Sequence, residues 1–293
     1  MSKLKAALDL LKRQTQPPVK QSVVPHNGFD AVADGGLAAG RKKRVTVEGP
    51  RYAVDQQKLI KAGLLAPLDH AVPVADEFRR IKRPLIQNAR SSQDTGPDCM
   101  NVIMITSALP NAGKTFCSIN LAVSISLERE LNVLLVDADV GKRHISREIG
   151  LVEAPGLIDL LLDDTLRIDE LLVRTDLNDI QILPAGRHHP QATELLASER
   201  MSRIIDELAS RYSDRIVLLD SPPLLITSEA QALAGQVGQI ALIVEAGETT
   251  QQSLLQTIEV LDSDKAINII LNKSRHSSQF GYYGGDYGYY GYE

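Results

Sequence analysis

The sequence predicts an α/β domain in which a mostly parallel sheet is covered by helices on both faces. Short apolar runs that are bounded by turn residues are typical of strands buried on both sides. Helical patterns separate most of these runs, and this alternation implies right-handed crossovers that bring helices to both faces. The predicted strands are Asn101–Thr106, Asn132–Asp137, Asp179–Leu183, Arg215–Asp220, Gln239–Glu245 and Ile267–Leu271.

Helices are expected between these strands and ahead of the first one. In the helix Ala75–Asn88, Pro84 is expected to cause a kink or a restart, because proline lacks the N–H of the helical ladder. The later helices are Lys114 to about Arg129, Gly156–Leu162, Ile168–Val173, Thr193–Tyr212 and about Thr249–Leu261. At the chain start, Ser2–Gln14 carries leucines at helical spacing and predicts a short amphipathic helix.

The composition divides the chain into three parts. Residues 1–50 combine the short helix with a Pro-, Gly- and Ala-rich linker, and they carry nine Lys and Arg against four Asp and Glu. The whole chain, in contrast, has a net charge of −5. Residues 51–275 hold the α/β domain, and residues 276–293 form a Gly- and Tyr-rich tail that is expected to be disordered. The basic arm fits an acidic partner or a membrane surface, and equally a solvated linker.

The overall composition is that of a globular protein, with 43% hydrophobic and 24% charged residues. No apolar run approaches the roughly 20 residues that span a bilayer, and no signal-peptide pattern follows the first residue. We therefore expect a cytoplasmic protein. Its two cysteines, Cys99 and Cys117, are expected to be reduced and packed within the fold.

The stretch from Asn101 to Leu121 predicts a phosphate-binding loop. A buried strand leads into Gly113-Lys114-Thr115, where a helix begins. Such a P-loop directs backbone N–H groups at phosphate oxygens, and the helix N-terminus adds positive potential. Lys114 is expected to contact the β- and γ-phosphates of ATP, and Thr115 to bind Mg²⁺. Ala108 replaces the leading glycine of the motif, which requires a backbone without positive φ at that position.

Three aspartates, Asp137, Asp139 and Asp220, end or follow predicted strands. Ligands of open α/β sheets bind at the carboxyl ends of the strands, so these carboxylates are expected beside the P-loop. Mg²⁺ keeps several waters and takes only one or two protein ligands. One acid is therefore left to orient or deprotonate a nucleophile as a general base.

The tail supplies candidate nucleophiles for that chemistry. Water as the nucleophile would make the protein an ATPase, whereas a phenol would make it a tyrosine kinase. Nucleic acid is not an expected partner, because stacking binders normally add cationic residues and no Lys or Arg follows Arg275. An inert or self-associating low-complexity tail is the alternative. Six of the eight tyrosines lie in the tail: Tyr282, Tyr283, Tyr287, Tyr289, Tyr290 and Tyr292.

These motifs resemble those of the bacterial protein-tyrosine kinases (BY-kinases) of capsule and exopolysaccharide assembly. The matching segments are LPNAGKT at 109–115, LLVDADVGKR at 134–143, RIVLLDSPPLL at 215–225 and the terminal tyrosine cluster. The strings EFRRIKRPLI at 77–86 and ATELLASERM at 192–201 are most similar to the tyrosine autokinases associated with exosortase gene clusters. The resemblance covers about residues 50–293 and implies a P-loop NTPase fold.

The resemblance implies a role for each matching residue. Lys114, Asp137, Asp139 and Asp220 would be catalytic, and Asp137 would be the base. The expected Mg²⁺ ligands are Thr115, Asp139 and Asp220. The residues expected to bind ATP are Asn111, Ala112, Gly113, Lys114, Thr115, Phe116, Asn272 and Lys273, of which the last two would lie beside the adenine.

Two further features follow from the same resemblance. Glu77, Arg80 and Arg83 lie three residues apart along one helix face and match the family's subunit-contact motif. Gly141 stands where many family members carry an arginine, and Lys142 and Arg143 follow it. This departure leaves open which cation contacts the transferred phosphate.

The expected activity is ATP-dependent autophosphorylation of the tail tyrosines, in trans within a ring-like homo-oligomer, to regulate exopolysaccharide polymerisation and export. The implied partners are a membrane-spanning chain-length-determinant (polysaccharide co-polymerase) protein as activator, and a tyrosine phosphatase. The activator would recruit this chain to the inner face of the membrane.

Two other functions stay open from the sequence. A ParA/MinD-type ATPase shares the fold, but those proteins carry K-G-G-x-x-K-[ST], and Leu109 occupies the position of their first lysine. The second is a nucleotide-gated scaffold of the polysaccharide machinery, which would use ATP only as a switch.

Overall fold

The structure is a computed structural model that describes residues 51–67, 71–95, 99–210, 215–261 and 265–274, without the side chains at 71–73 and 91–95. The predictions for residues 1–50 and 276–293 lie outside these ranges. They include the Ser2–Gln14 helix and the six tail tyrosines.

Seven strands form a single sheet within the described residues. They are β1 (Val102–Ser107), β2 (Asn132–Asp137), β3 (Val173–Arg174), β4 (Gln181–Leu183), β5 (Arg215–Asp220), β6 (Gln239–Glu245) and β7 (Ala266–Asn272). Their order across the sheet is β3-β4-β2-β5-β1-β6-β7. Every pairing is parallel except that between β3 and β4. The predicted mostly parallel sheet is confirmed.

Ten helices accompany these strands in the described part of the chain. They are α1 (Gln56–Lys61), α2 (Ala71–Thr95), α3 (Lys114–Ser126), α4 (His144–Glu148), α5 (Leu157–Leu162), α6 (Ile168–Leu171), α7 (Ala192–Leu196), α8 (Glu199–Ser210), α9 (Ser228–Ala234) and α10 (Gln251–Val260). None of the helices within those ranges combines the length and the hydrophobicity that a membrane crossing requires.

Helices pack against both faces of the sheet, as predicted. Successive side chains of a strand point to opposite faces, and Ile103 and Ile105 of β1 share one apolar cluster with Leu121 and Ile125 of α3. Met104 lies outside that cluster but is fully buried, and α8 and α9 also contact β1. Continuous apolar sequence in the central strands is therefore explained by burial on both sides.

Helix α2 is longer than predicted, and the expected restart at Pro84 is wrong. The helix runs through Pro84 without interruption. Proline cannot donate to the carbonyl four residues earlier, which belongs to Arg80. Both Pro84 and Arg80 are exposed, so water can take the place of the missing donor.

The single predicted helix Thr193–Tyr212 is wrong in extent, because the segment forms the two helices α7 and α8. The Ser198 hydroxyl accepts a hydrogen bond from the Met201 N–H at 3.3 Å, which caps a new helix at that point. Val173 was predicted to end a helix but lies in β3, where it pairs with Ile182 of β4. Helices α1, α4 and α9 were not predicted, since their five to seven residues are too few to show a helical period.

Candidate nucleotide site

The candidate site lies at the carboxyl ends of three adjacent strands in the centre of the sheet. Strand β5 lies between β1 and β2, and Asp137 at the end of β2 is the register partner of Asp220 at the end of β5. The P-loop leaves the end of β1 and enters α3 at Lys114. Chain segments that are far apart in sequence are thus brought to one edge of the sheet, as the strand-end argument predicted.

The P-loop backbone adopts the conformation that its glycine and asparagine permit. Asn111 has φ 66° and Gly113 has φ 90°, both in the left-handed region. A Cβ at Gly113 would overlap the side-chain nitrogen of Asn272, so a larger residue would displace that side chain in addition to straining the backbone. Ala108, at the position of the leading glycine, is buried and has no positive φ. Alanine is therefore compatible with the loop.

Lys114 is buried at the start of α3 and points into the site. Its Nζ lies 3.3 Å from the Ser107 hydroxyl at the end of β1. Burial lowers the pKa of Lys114, while Asp220 and then Asp139 oppose this effect. A partly desolvated ammonium attracts an anion more strongly than an ammonium in water does.

Asp220 is fully buried and is held by two hydroxyls of α3. The Thr115 hydroxyl donates to Oδ2 at 2.8 Å and the Ser118 hydroxyl donates to Oδ1 at 2.8 Å. Desolvation and then the nearby charge of Asp137 raise the pKa of Asp220 to about 7, in spite of these bonds. Ser118 was not among the predicted site residues. Its spacing of three from Thr115 puts it on the same helix face, which is the signal that was available.

Asp137 is buried with its two oxygens in different situations. Oδ2 accepts hydrogen bonds from the N–H of Ser146 at 2.8 Å and from its hydroxyl at 2.7 Å. Oδ1 is buried and accepts no hydrogen bond of normal geometry in the described part of the chain, although the backbone N–H of Asp139 lies close enough to the carboxylate to lower its pKa. Burial raises the pKa of Asp137 to about 6, and the Asp139 charge adds to this. Ser146 was also missed, because only the turn after β2 brings it back to the strand end.

Asp139 and the residues after it line the same edge. Asp139 is buried, and its Oδ1 accepts from the N–H of Lys142 at 3.2 Å. The guanidinium of Arg143 donates to backbone carbonyls, at 3.3 Å and 3.4 Å, and is thereby directed at the chain itself. Lys142 is exposed and close enough to lower the pKa of Lys114. A Cβ at Gly141 would lie 3.9 Å from its nearest neighbour, so a side chain would fit there.

The other predicted ATP-binding residues lie around the P-loop. Asn272 ends β7 and Lys273 follows it, and their side chains donate hydrogen bonds to the carbonyls of Ala112 at 2.8 Å and Asn111 at 2.6 Å, respectively. Phe116 turns its ring toward Phe78 of α2, with a distance of 6.0 Å between ring centroids. These positions attach both β7 and α2 to the nucleotide loop.

The residues at this edge fit a cation that is shared with phosphates. Asp137 and Asp220 are buried carboxylates whose pKa values are raised mainly by desolvation, and Oδ1 of Asp137 accepts no hydrogen bond of normal geometry in the described residues. In the described residues, no three His, Cys, Asp or Glu side chains are placed to hold a metal by themselves. Mg²⁺ does not need such a cluster, because it takes one or two protein oxygens and completes its coordination shell with waters and phosphates.

The predicted subunit-contact residues lie outside this edge, on α2. Glu77, Arg80 and Arg83 are all exposed. In the part of the chain that the structure describes, no ion pair forms among them. Their charged groups are thus available to solvent or to another molecule.

Comparisons with known proteins agree with this fold. A family model described as an AAA domain matches residues 100–271. Tyrosine-protein kinase YwqD of Bacillus subtilis is 30% identical over 189 residues, which are 63% of this chain and 78% of that protein. Tyrosine-protein kinase wzc of Salmonella typhimurium is 32% identical over 195 residues, which are 66% of this chain and 26% of that protein. The chain therefore spans about a quarter of the length of that relative.

Solved structures of tyrosine kinase domains are also similar to this chain. The crystal structure of the VpsO kinase domain superimposes with a TM-score of 0.58 at 27% identity, over 72% of this chain and 100% of that one. The kinase domain of Escherichia coli tyrosine kinase ETK superimposes with a TM-score of 0.61 at 23% identity, over 86% of this chain and 89% of that one, and supports the fold alone.

The fold and the loop after β1 define a P-loop NTPase domain of the AAA type. Within that class, the chain belongs to the family of bacterial tyrosine-protein kinases. The family predicted from the motifs is confirmed, whereas the finer resemblance to exosortase-associated autokinases stays a prediction.

Proposed function

We propose that this protein is an ATP-dependent protein-tyrosine kinase that phosphorylates its own C-terminal tyrosines. The observation that carries the proposal is the state of Asp137. One of its oxygens is held by Ser146, while the other is buried without a hydrogen bond of normal geometry among the described residues, and the carboxylate lies at the strand end beside Asp220. A fixed carboxylate with one free oxygen and a raised pKa is suited to accept a proton from a phenol.

The described residues supply the parts of phosphoryl transfer. Lys114 would bind the phosphates, and Thr115, Asp139 and Asp220 would hold Mg²⁺, with one or two of them as direct ligands and the others acting through water. Mg²⁺ neutralises charge on the phosphate oxygens when bound. The phenol oxygen of a tyrosine would attack the γ-phosphorus and give its proton to Asp137. The bond from that phosphorus to its bridging oxygen would break, and ADP would leave with the electron pair.

The tail tyrosines and the partners belong to the same proposal. Tyr282, Tyr283, Tyr287, Tyr289, Tyr290 and Tyr292 are the proposed acceptors, presented in trans within a ring-like homo-oligomer. A membrane-spanning polysaccharide co-polymerase would activate the kinase and recruit it to the inner face of the membrane. A tyrosine phosphatase would reset the tail, and the cycle would regulate exopolysaccharide polymerisation and export.

One position of the P-loop argues against an ATPase of the ParA/MinD type. Leu109 is an exposed apolar residue where those ATPases carry a lysine. A leucine cannot supply a cation to phosphates across a dimer. The remaining alternative is a scaffold that binds nucleotide without transferring phosphate.

One experiment separates these three functions. The purified protein is incubated with Mg-ATP and probed for phosphotyrosine, beside Lys114→Met, Asp137→Asn and a variant with all six tail tyrosines changed to Phe. We expect tail phosphorylation in the unmodified protein and none in Lys114→Met or the tail variant. Loss of the general base should slow the reaction about 100-fold or more while ATP still binds. ATP hydrolysis without phosphotyrosine would identify an ATPase, and nucleotide binding without turnover would identify a scaffold.

A further inference from the structure

The end of β7 holds two successive carbonyls of the P-loop. Nδ2 of Asn272 donates to the carbonyl of Ala112 at 2.8 Å, and Nζ of Lys273 donates to the carbonyl of Asn111 at 2.6 Å. We refer to Asn272 and Lys273 together as the β7 clamp. Both contacts join residues about 160 positions apart, so they form only in the folded protein.

The β7 clamp is itself fixed in place. Nζ of Lys273 forms an ion pair with Glu245 at 2.8 Å, at the end of the neighbouring strand β6. The carbonyl of Asn272 accepts from the N–H of Ala246 at 2.9 Å. A side chain at Gly113 would collide with Asn272, which shows how closely the clamp approaches the loop. The ammonium of Lys273 is therefore committed to Glu245 and to a carbonyl.

Peptide geometry transmits this hold to the phosphate side of the loop. No peptide bond in the described residues is cis, and in a trans peptide the C=O and the following N–H point in opposite directions. Fixing the carbonyl of Asn111 therefore fixes the N–H of Ala112, and fixing the carbonyl of Ala112 fixes the N–H of Gly113. Consecutive N–H groups of this kind form the concave nest in which phosphate oxygens bind.

We propose that Asn272 and Lys273 are positioning residues that hold the P-loop backbone in the conformation that binds phosphate, in addition to any contact they make with adenine. This rests on the nucleotide site of the proposed function and names which residues preorganise it. A base-contact role and a positioning role give different predictions. Loss of an adenine contact lowers the affinity only for ligands that contain adenine, whereas loss of loop positioning lowers the affinity for every ligand that contains the phosphates.

The test measures the affinity of Mg-ATP and of Mg-tripolyphosphate, which has phosphates but no base. The variants are Asn272→Ala and Lys273→Met, with Lys273→Arg as the conservative change that keeps a donor and a charge. The matched control is Lys265→Met. Lys265 begins the same stretch of chain, where its Nζ donates to the carbonyls of Gly235 at 3.0 Å and Val237 at 2.6 Å, at the opposite end of β7 from the loop.

We expect Asn272→Ala and Lys273→Met to weaken both ligands by about tenfold, because each variant removes one hydrogen bond that orders the loop. Lys273→Arg should restore most of the affinity, and Lys265→Met should leave it unchanged. A loss for Mg-ATP alone, with unchanged binding of Mg-tripolyphosphate, would overturn the proposal in favour of a base contact.

Hydrogen exchange of the nucleotide-free protein gives a second readout. The amides of Ala112 and Gly113 should exchange faster in Lys273→Met than in the unmodified protein or in Lys265→Met. Equal exchange in all three proteins would overturn the proposal. Neither readout needs phosphate transfer, so a protein that binds Mg-ATP but never phosphorylates tyrosine would end the kinase proposal and leave the β7 clamp standing.

Discussion

Asp137 and Asp220 set the chemistry of this protein at the scale of single residues. They are register partners at the ends of adjacent strands, and both are buried. Desolvation raises both pKa values, and a neighbouring carboxylate adds to it in each case: Asp137 for Asp220, and Asp139 for Asp137. Uptake of a proton or a cation reduces this unfavourable charge. The positions of these two carboxylates therefore favour the binding of a cation.

This charge makes the stability of the ligand-free protein depend on pH. The pKa of Asp220 is about 7 in the folded protein, against about 3.9 in an unfolded chain. Between these values the folded state binds more protons than the unfolded state, so the free energy of unfolding from this group falls as the pH rises. We expect Asp220→Asn to reduce the difference in Tm between pH 5 and pH 8.

The same variant should also lose the rise in Tm that Mg-ATP produces at pH 8, because the amide cannot supply the charge that attracts the metal. Differential scanning fluorimetry measures both quantities. Glu229→Gln, a change in the first turn of α9, serves as the control. An undiminished pH dependence in Asp220→Asn would contradict this account.

Ser146 carries a second prediction at the residue scale. Its hydroxyl donates to Asp137 and accepts from the N–H of Ala185 at 3.0 Å. In Ser146→Ala two buried groups lose a partner, which costs about 1–3 kcal/mol of stability for each such group. We expect tyrosine phosphorylation to fall further than nucleotide affinity, because Asp137 then keeps only the backbone N–H of Ser146 as its donor and is oriented less firmly.

Urea unfolding and the rate of phosphotyrosine formation measure the two effects of Ser146→Ala. Ser126→Ala is the matched control, since the Ser126 hydroxyl donates to Val123 within its own helix. Normal kinase activity in Ser146→Ala would show that Asp137 is held in place by other contacts.

At the scale of elements, α2 joins the P-loop helix α3 through one face. Phe78, Lys82, Leu85 and Ala89 are buried at helical spacing. Nζ of Lys82 donates to the carbonyl of Ser124 at 2.6 Å and pairs with Glu128 at 2.7 Å, near the C-terminal end of α3. A cation is favourable at the end of a helix, where the carbonyls lack partners.

Removal of this cation should loosen the contact between the two helices. Lys82→Met keeps the apolar stem but leaves the carbonyl of Ser124 and the carboxylate of Glu128 without their donor. We expect a loss of about 1–3 kcal/mol in the free energy of unfolding at pH 7, measured with urea. Lys61→Met, an exposed lysine of α1, is the control.

The pH dependence of that loss can be given a sign. The hydrogen bond from Lys82 lowers the pKa of Glu128. Its contribution is present above the unfolded pKa of about 4.3 and is lost as the pH falls through the lower folded pKa. Because Glu128 is partly exposed, solvent screening keeps this part small. The difference in the free energy of unfolding between Lys82→Met and the unmodified protein should become smaller in acid. A difference that does not change with pH would contradict the ion pair between Lys82 and Glu128.

At the scale of the whole molecule, α2 presents two faces with different partners. The face with Lys82 packs on α3, whereas Glu77, Arg80 and Arg83 are exposed. A surface of this kind, attached directly to the P-loop helix, is suited to bind another copy of the chain. Subunit contact and the nucleotide site would then be joined by a single helix.

The assembly prediction uses the double variant Arg80→Asp and Arg83→Asp. Reversal of both charges should prevent an attractive contact with an acidic group, such as Glu77, of the neighbouring copy. We expect a lower molar mass by light scattering and slower tail phosphorylation, with unchanged affinity for Mg-ATP. Arg90→Asp on the same helix, where Arg90 lies 3.8 Å from Glu130, is the control. An unchanged mass would remove α2 from the interface.

Strand limits were predictable where burial is two-sided and the chain then turns polar. The bounds of β2, β5 and β6 agree residue for residue, and their terminal acids fall where predicted. The error at Thr193–Tyr212 has a local cause, since Ser198 begins a new helix in a pattern that continues across it. At Pro84 the error is the opposite one, since a break was predicted where the helix continues. The Arg80 carbonyl, which loses its donor because of Pro84, belongs to an exposed residue of α2.

The sequence by itself determined the sheet, the P-loop and the three acids, because each depends on residues that are close in the chain: an apolar run, a glycine before Lys114, an aspartate at a strand end. Only the tertiary structure decided what touches them. Ser146 on Asp137, Ser118 on Asp220 and the β7 clamp on the P-loop all join distant segments or depend on a particular turn. Such contacts depend on the register of the strands and the path of the chain between them, and local sequence patterns do not encode these distances.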